Sequence, residues 1–253
     1  MAITDKLTAI ANAIRSKTGT TNTMTLDEMS NTIKNIQTGV ITSDNRCTEI
    51  PDYLFYGCTN LALTELPSGL TDIGNNAFYK CANLALTKLP SGITYIASDT
   101  FGDCTKLALT ELPSGVTSIG SDAFRGCVKL ALTELPSGVT SIGSDAFEGC
   151  TSLALTSLPL ELTSIDNNTF QNCPNLAITE LPSGVTSIGW YAFKDCTGLT
   201  SLTFKGTPNT IDSTAFLGCT NLSTINVPWA EGAVENAPWG ATNATINYNY
   251  VAG

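Results

Sequence analysis

CVKLALTELPSGVTSIGSDAFEG, which spans residues 127–149, is one copy of a unit that this chain repeats every 23 residues. Each copy has a phenylalanine three residues before its cysteine and a leucine three residues after it, without insertions between copies. The cysteines in register are Cys58, Cys81, Cys104, Cys127, Cys150, Cys173, Cys196 and Cys219. A unit of this size cannot bury its own apolar side chains, so the units are expected to stack around one shared core.

This periodicity predicts a repeat solenoid, rich in β-structure, with about eight coils. The Leu-x-Leu-x-x-Leu-Pro stretch, residues 61–67 in the first copy, is predicted to form the main ladder of parallel strands. Pro-Ser-Gly supplies a turn, and Val-Thr-Ser-Ile-Gly predicts a second short strand. The Ser-Asp-Ala-Phe and Asn-Asn-Ala-Phe stretches predict short helical turns, with Ser or Asn as the cap.

The second leucine of the first stretch leaves two interpretations open. Simple alternation along a strand cannot turn all three leucines of Leu-x-Leu-x-x-Leu towards the core. Either the strand contains a bulge, or this row faces outward as an apolar strip that requires a partner or a covering element. The row consists of Leu63, Leu86, Leu109, Leu132, Leu155 and Ile178.

The coil that begins at Cys196 departs from the repeat. It has Lys205, Thr207 and Pro208 where the other copies have proline, glycine and an apolar residue such as valine. We therefore expect this coil to differ in shape from its neighbours.

Residues 1–39 do not follow the repeat and predict two short amphipathic helices. Thr25-Leu26-Asp27-Glu28 forms a capping box before the second apolar stripe. Two such helices bury too little surface to be stable alone, so this segment is expected to mediate attachment or oligomerisation. The apolar residues assigned to that role are Leu7, Ile10, Ile14, Leu26, Met29 and Ile33.

The remaining chain divides into a solenoid, residues 40–225, and a C-terminal cap, residues 226–253. Residues 243–248 alternate like a closing strand. A solenoid needs its last coil covered, and four aromatic residues of this segment are expected to do so. They are Trp229, Trp239, Tyr248 and Tyr250.

Composition excludes several classes of function. The net charge of −10 disfavours binding to nucleic acid or to anionic lipid, because no cluster of Lys and Arg reverses it locally. The chain has no histidine, which removes Ser-His-Asp and Cys-His catalysis and histidine-containing zinc sites. The first residues do not resemble a secretory signal peptide, and no apolar run is long enough to insert into a membrane. We therefore expect a protein made and folded in the cytosol.

The recurring cysteines and carboxylates do not predict an active site. Equivalent thiols of stacked units form a row rather than a metal cage, so the cysteines are expected to be small core residues, with no metal or cofactor. Cys47, outside their register, is the candidate for reactivity. Glu65, Glu111, Glu134 and Glu180 share one repeat position, and a solvated acidic face explains them better than a glycosidase pair.

The repeat resembles the BspA-type leucine-rich repeat over roughly residues 47–228. This resemblance implies a leucine-rich-repeat solenoid that binds ligands without catalysis. Residues 1–39 are similar to a short helical module at the start of phage and prophage structural proteins. NVPWAEGAVENAPWGATNATINYNY, residues 226–250, is similar to the ends of repeat proteins in such phage contexts. Both similarities imply attachment to a virion at one end.

Aromatic residues interrupt turn positions that hold small polar residues in most copies. Exposed aromatic rings offer flat apolar area with polar tips, which suits sugar or protein surfaces. The alternative is that they fill local gaps or cover a weak coil. The candidate ligand-binding residues are Tyr56, Tyr79, Tyr95, Trp190 and Tyr191.

These observations predict a non-catalytic component of a phage or prophage virion, in a tail or surface position. In this hypothesis residues 1–39 bind other virion proteins, and the solenoid, as part of a homo-oligomer, contacts a glycan or protein of the host surface. The alternative is a BspA-type adhesin of the bacterial cell surface that binds host matrix or other microbes.

Overall fold

The computed structural model describes residues 48–251, which form a parallel β-solenoid with coils 23 residues apart. The predicted fold class is confirmed. The helices predicted for residues 1–39, and Cys47, lie outside the described residues. The strands are β1 (Glu49–Ile50), β2 (Asp72–Ile73), β3 (Tyr95–Ile96), β4 (Ser118–Ile119), β5 (Ser141–Ile142), β6 (Ser164–Ile165), β7 (Glu180–Leu181), β8 (Ser187–Ile188), β9 (Ser201–Phe204), β10 (Thr210–Ile211), β11 (Thr224–Asn226) and β12 (Thr245–Asn247).

Regular strand pairing runs along the Ser-Ile positions of successive coils. β3, β4 and β5 pair in parallel, as do β6, β8 and β10, and β1 pairs with β2. In each pair the partners are equivalent residues, for example Ile119 opposite Ile142. The β-branched isoleucine turns inward and the polar residue before it turns towards solvent, as expected for a half-buried strand.

The prediction that the Leu-x-Leu-x-x-Leu stretch forms the main ladder was wrong for most coils. The stretch is irregular and bends at the threonine after the second leucine, Thr64 in the first coil. Within residues 48–251, strands occur at this level of the coil only towards the C-terminal end, where β7, β9, β11 and β12 pair in one sheet. A bend between the second and third leucines lets both turn inward, which a straight strand cannot do.

The second leucine row is therefore buried, and no outward-facing apolar strip exists at these positions. Leu86, Leu109, Leu132 and Leu155 are fully buried, and Leu63 and Ile178 are nearly so. The third leucine of each stretch is buried as well. All three rows thus contribute to one continuous core.

The turn segment before each cysteine is not a helical turn, which corrects a second prediction. Asn76 and Lys80 adopt φ angles of 56° and 61°, and equivalent residues of other coils do the same. Consecutive helical residues require negative φ, so these left-handed positions prevent a helix. The N–H groups of Asn76, Phe78 and Lys80 donate to carbonyls of the next coil instead. The asparagine expected as a helix cap also bridges coils, because Oδ1 of Asn75 accepts from the N–H of Ser98.

Phenylalanines and cysteines form the centre of the core. Neighbouring phenylalanine rings stack nearly parallel, with centroids 5.2 to 5.7 Å apart. The thiol of Cys104 donates to the carbonyl oxygen of Phe78 in the preceding coil at 3.1 Å, and other coils repeat this bond. Small buried thiols with a weak donor fit this position, so the prediction of core cysteines is confirmed for the buried ones.

The last coils differ in shape, as predicted from Lys205, Thr207 and Pro208. β9 is four residues long and joins a separate sheet in the order β7, β9, β11, β12. After it, the cap packs Trp229 edge-on against Phe204 at 5.2 Å, with Trp239 fully buried beside them. β12 pairs in parallel with β11 and continues the ladder past the last repeat.

Replacing Phe124 by Ala should lower the free energy of unfolding by about 3–5 kcal/mol. The ring is fully buried between Phe101 and Phe147, so its loss leaves a cavity in the stack. Guanidinium denaturation measures the change. Leu160→Ala is the matched control, because Leu160 is 80% exposed and its truncation should change stability by less than about 0.5 kcal/mol. Equal effects of the two substitutions would contradict the role of the stack.

Candidate functional site

The turn segments of successive coils lie side by side and form one edge of the solenoid, which we call the turn face. It comprises residues 52–58 and the equivalent residues of later coils, at 23-residue spacing. All the aromatic candidates except Tyr95 lie on it: Tyr56 and Trp190 are exposed, and Tyr79 and Tyr191 are partly buried. Along the solenoid axis it has three parts: an aromatic cluster, an acidic section and a second aromatic cluster.

The first aromatic cluster contains Tyr53, Tyr56 and Tyr79. The rings of Tyr56 and Tyr79 stack at 5.2 Å, and Tyr53 lies 5.9 Å from Tyr56. The ring of Tyr79 lies across Gly102 of the next coil, where an added Cβ would come within 2.7 Å of Cδ2 of the ring. The absence of a side chain at residue 102 therefore makes room for the ring.

The middle of the turn face is acidic. Arg125 pairs with Glu148 at 2.8 Å and with Asp122 at 3.4 Å. Burial raises the pKa values of the Asp122 and Glu148 carboxyls, and Asp145 raises both further by repulsion. These carboxylates recur because the repeat recurs, and within residues 48–251 they form no metal-binding group.

The second aromatic cluster is Trp190, Tyr191 and Lys194. Trp190 is 53% exposed, and its ring is nearly parallel to that of Tyr191 at 6.3 Å. Nζ of Lys194 lies 4.8 Å from the centroid of the Tyr191 ring, a cation–π contact. The structure thus brings Trp190 and Tyr191 together, but several coils separate them from the first cluster.

Two tyrosines of the turn face adopt a backbone conformation that disfavours large side chains. Tyr53 and Tyr191 have φ angles of 59° and 54°, at the repeat position that holds an asparagine or aspartate in the five coils between them. Asn and Asp tolerate this left-handed region better than other non-glycine residues. Tyr53 was missed as a candidate, although its register with Asn76 marks it as a departure from the repeat.

Tyr95 belongs to a different surface. It lies on β3, and its hydroxyl donates to a carboxylate oxygen of Asp72 on the neighbouring strand. This hydrogen bond, with a smaller contribution from burial, raises the pKa of Tyr95 to about 12. Its hydroxyl is therefore engaged within the solenoid, which sets it apart from the other aromatic candidates.

The glutamate row is solvated. Glu65, Glu111, Glu134 and Glu180 are exposed, and Glu180 pairs with Lys205 at 2.8 Å. Glu111 and Glu134 line a shallow groove together with Lys88. The row thus has the exposure of an ordinary charged surface.

The thiols are buried and their acidity is suppressed. Burial raises the pKa of Cys81 to about 12, and it also raises the pKa of Cys127 far above the usual range. Cys58, at the first described coil, is only partly buried. In the described part of the chain no helix is long and apolar enough to cross a membrane.

One known family of repeats matches this chain. The BspA type leucine rich repeat region matches residues 29–154 and 118–236 of this chain. No curated protein sequence matches it.

Solved structures of bacterial leucine-rich-repeat proteins are similar to it. A leucine-rich-repeat protein of T. pallidum is 34% identical over 60% of this chain and 71% of its own, with a TM-score of 0.51. A leucine-rich-repeat protein of Bacteroides ovatus is 23% identical over 79% of this chain and 64% of its own, with a TM-score of 0.50. A leucine rich cell surface protein of Faecalibacterium prausnitzii is 25% identical over 83% of this chain and 72% of its own, with a TM-score of 0.48.

Iodoacetamide at pH 8 should modify Cys58 much faster than Cys104, Cys127 or Cys150 in the folded protein. The thiolate is the reactive form, and the raised pKa of each buried thiol keeps it protonated at this pH. Peptide mapping by mass spectrometry gives the rate for each cysteine, with the protein unfolded in guanidinium as control. Labelling of Cys127 as fast as Cys58 before unfolding would contradict the buried thiol row.

Proposed function

Because this chain belongs to the BspA-type leucine-rich-repeat family, we propose that it is a non-catalytic binding protein whose turn face contacts a ligand on a host surface. The observation that carries the proposal is the pair of tyrosines at left-handed positions. Tyr53 and Tyr191 are not needed to fill the core, since Tyr53 is half exposed and Tyr191 is only partly buried. A strained backbone that displays an aromatic ring is better explained by a role in recognition than by folding.

The form of the solenoid supports this role. Stacked coils hold their surface side chains at fixed separations, so two aromatic clusters on one edge can engage a repetitive surface at the same time. Each contact is weak alone, and the affinities combine when the protein forms a homo-oligomer. The acidic section between the clusters and the net charge of −10 disfavour nucleic acid as the partner.

For its location, we propose a phage or prophage virion, in a tail or surface position, with residues 1–39 bound to other virion proteins. The support is the resemblance of residues 1–39 to a helical module of phage structural proteins, and that of residues 226–250 to the ends of repeat proteins in phage contexts. The second candidate is an adhesin of the bacterial cell surface, which binds host matrix or other microbes. Membership of the BspA-type family supports that candidate equally well.

A combined variant tests the binding surface. Tyr56→Gln, Tyr79→Gln, Trp190→Ser and Tyr191→Asn place residues of equivalent coils at these positions, so the fold should persist. Binding to bacterial envelope preparations should fall at least about tenfold, as for loss of aromatic anchors. Biolayer interferometry with immobilised envelopes measures the affinity, and circular dichroism checks the fold.

Two control variants keep the aromatic clusters. Leu160→Ser removes an exposed apolar side chain outside the turn face, and Glu111→Gln with Glu134→Gln neutralises two of the four glutamates of the row. Both should bind as the wild type does. Wild-type affinity of the combined variant, or loss of binding in the glutamate variant, would count against the proposed surface.

Mass spectrometry of purified particles and of envelope fractions distinguishes the two locations. A virion component should be enriched in particles at a fixed ratio to the major virion proteins. Enrichment in the envelope, and none in particles, would favour the adhesin and reject the virion role.

A further inference from the structure

The exposed ring of Trp190 borders an open depression between the last coils and the C-terminal cap. Asn167, Thr210, Asp212 and Asn236 line it. Its volume of about 440 Å³ lies within the range of roughly 300–1,000 Å³ that small-molecule sites occupy. Residues of the preceding coil, of the segment 210–212 and of the cap thus border one flat aromatic side chain.

Some polar groups around the depression already accept hydrogen bonds from the protein, and these bonds fix their orientation. Oδ1 of Asp212 accepts from both the backbone N–H and the hydroxyl of Thr214. Oδ2 of Asp212 accepts no hydrogen bond from residues 48–251, so it is available to a ligand. Oδ1 of Asn167 accepts from the N–H of Trp190 at 3.1 Å, which leaves the amide group of Asn167 as a donor.

We propose that this depression is a subsite for a neutral pyranose ring of a surface glycan. The C–H face of a pyranose is weakly positive and flat, so it stacks on the negative face of an indole. Its hydroxyl groups both donate and accept, and they match a carboxylate oxygen beside neutral amides. This inference rests on the proposed binding function and names its ligand class.

A lysine or arginine side chain of a protein is the competing occupant, since Trp190 and Asp212 offer it a ring and a charge. Two features favour the sugar. Asn167 and Asn236 are neutral and can donate hydrogen bonds to sugar hydroxyls, whereas the ammonium or guanidinium group of a lysine or arginine cannot accept a hydrogen bond. Lys194 already places a positive charge against the ring next to Trp190, which disfavours a second cation there.

Saturation-transfer NMR with the full chain tests the subsite. The probes are cellobiose, chitobiose and mannobiose, with a lysine- and arginine-rich peptide as comparison. At least one disaccharide should bind with a dissociation constant of about 1 mM, and protons of one ring face should receive most saturation. Binding of none of the three at about 20 mM, or Trp190-dependent binding of the peptide alone, overturns the subsite.

Three variants locate the binding. Trp190→Ser should weaken disaccharide binding at least about tenfold. Asp212→Asn keeps one oxygen that can accept from Thr214 but replaces the other carboxylate oxygen with an NH2 group. This variant should therefore weaken disaccharide binding several-fold. Leu160→Ser should leave it unchanged. Equal binding by Trp190→Ser and wild type overturns the proposal.

Chemically treated envelopes separate this inference from the proposed function. Periodate cleaves the vicinal diols of glycans, and protease removes surface proteins. Binding lost after periodate and retained after protease supports a glycan. Binding lost only after protease overturns the sugar subsite while the binding function stands, whereas no binding to any untreated envelope rejects the function itself.

Discussion

A thiol-to-carbonyl hydrogen bond joins each buried cysteine to the coil before it, beside the stacked phenylalanine rings. The carbonyl of Phe78 accepts the N–H of Cys81 in its own coil and the thiol of Cys104 in the next. An inserted residue between two cysteines would separate a thiol from its acceptor and offset one ring from the stack. The constant 23-residue spacing follows from this geometry, because every coil must present the same two groups at the same level.

The surface residues repeat with the same 23-residue spacing as the core. Because equivalent residues stack directly, any row of the turn face is a linear series in which each residue contacts its counterparts on either side. Tyr56 therefore stacks on Tyr79, and Arg125 reaches Glu148 in the next coil. Single substitutions in a repeat thus create contacts with neighbouring coils, and clusters of aromatic or acidic character arise without any change in the backbone.

The 23-residue period and the type of residue at each repeat position were enough to predict four features. These are the solenoid, the buried cysteines, the unusual coil at Lys205 and the closing strand. The bend at Thr64 was not, since it depends on how three leucine rows share one core. The turn segments were misjudged because Asn and Asp favour both helix caps and left-handed positions, and only the pairing between coils decides. The depression at Trp190 could not be foreseen, because Asp212 and Asn236 reach it from distant segments and from outside the regular repeat.

Exposed aromatic rings have opposite consequences for folding and for recognition. A tyrosine at the φ angle of Tyr191 costs more than the asparagine or aspartate of neighbouring coils, and the partial burial of its ring offsets only part of that cost. A rigid scaffold tolerates that cost, since the Phe and Cys rows below are complete in every central coil. The same rigidity removes most of the ordering entropy that a flexible loop would lose on binding. The stable, regular core therefore tolerates strained residues at the edge of the solenoid. It holds the irregular aromatic rings of the turn face in fixed positions, where a ligand can contact them.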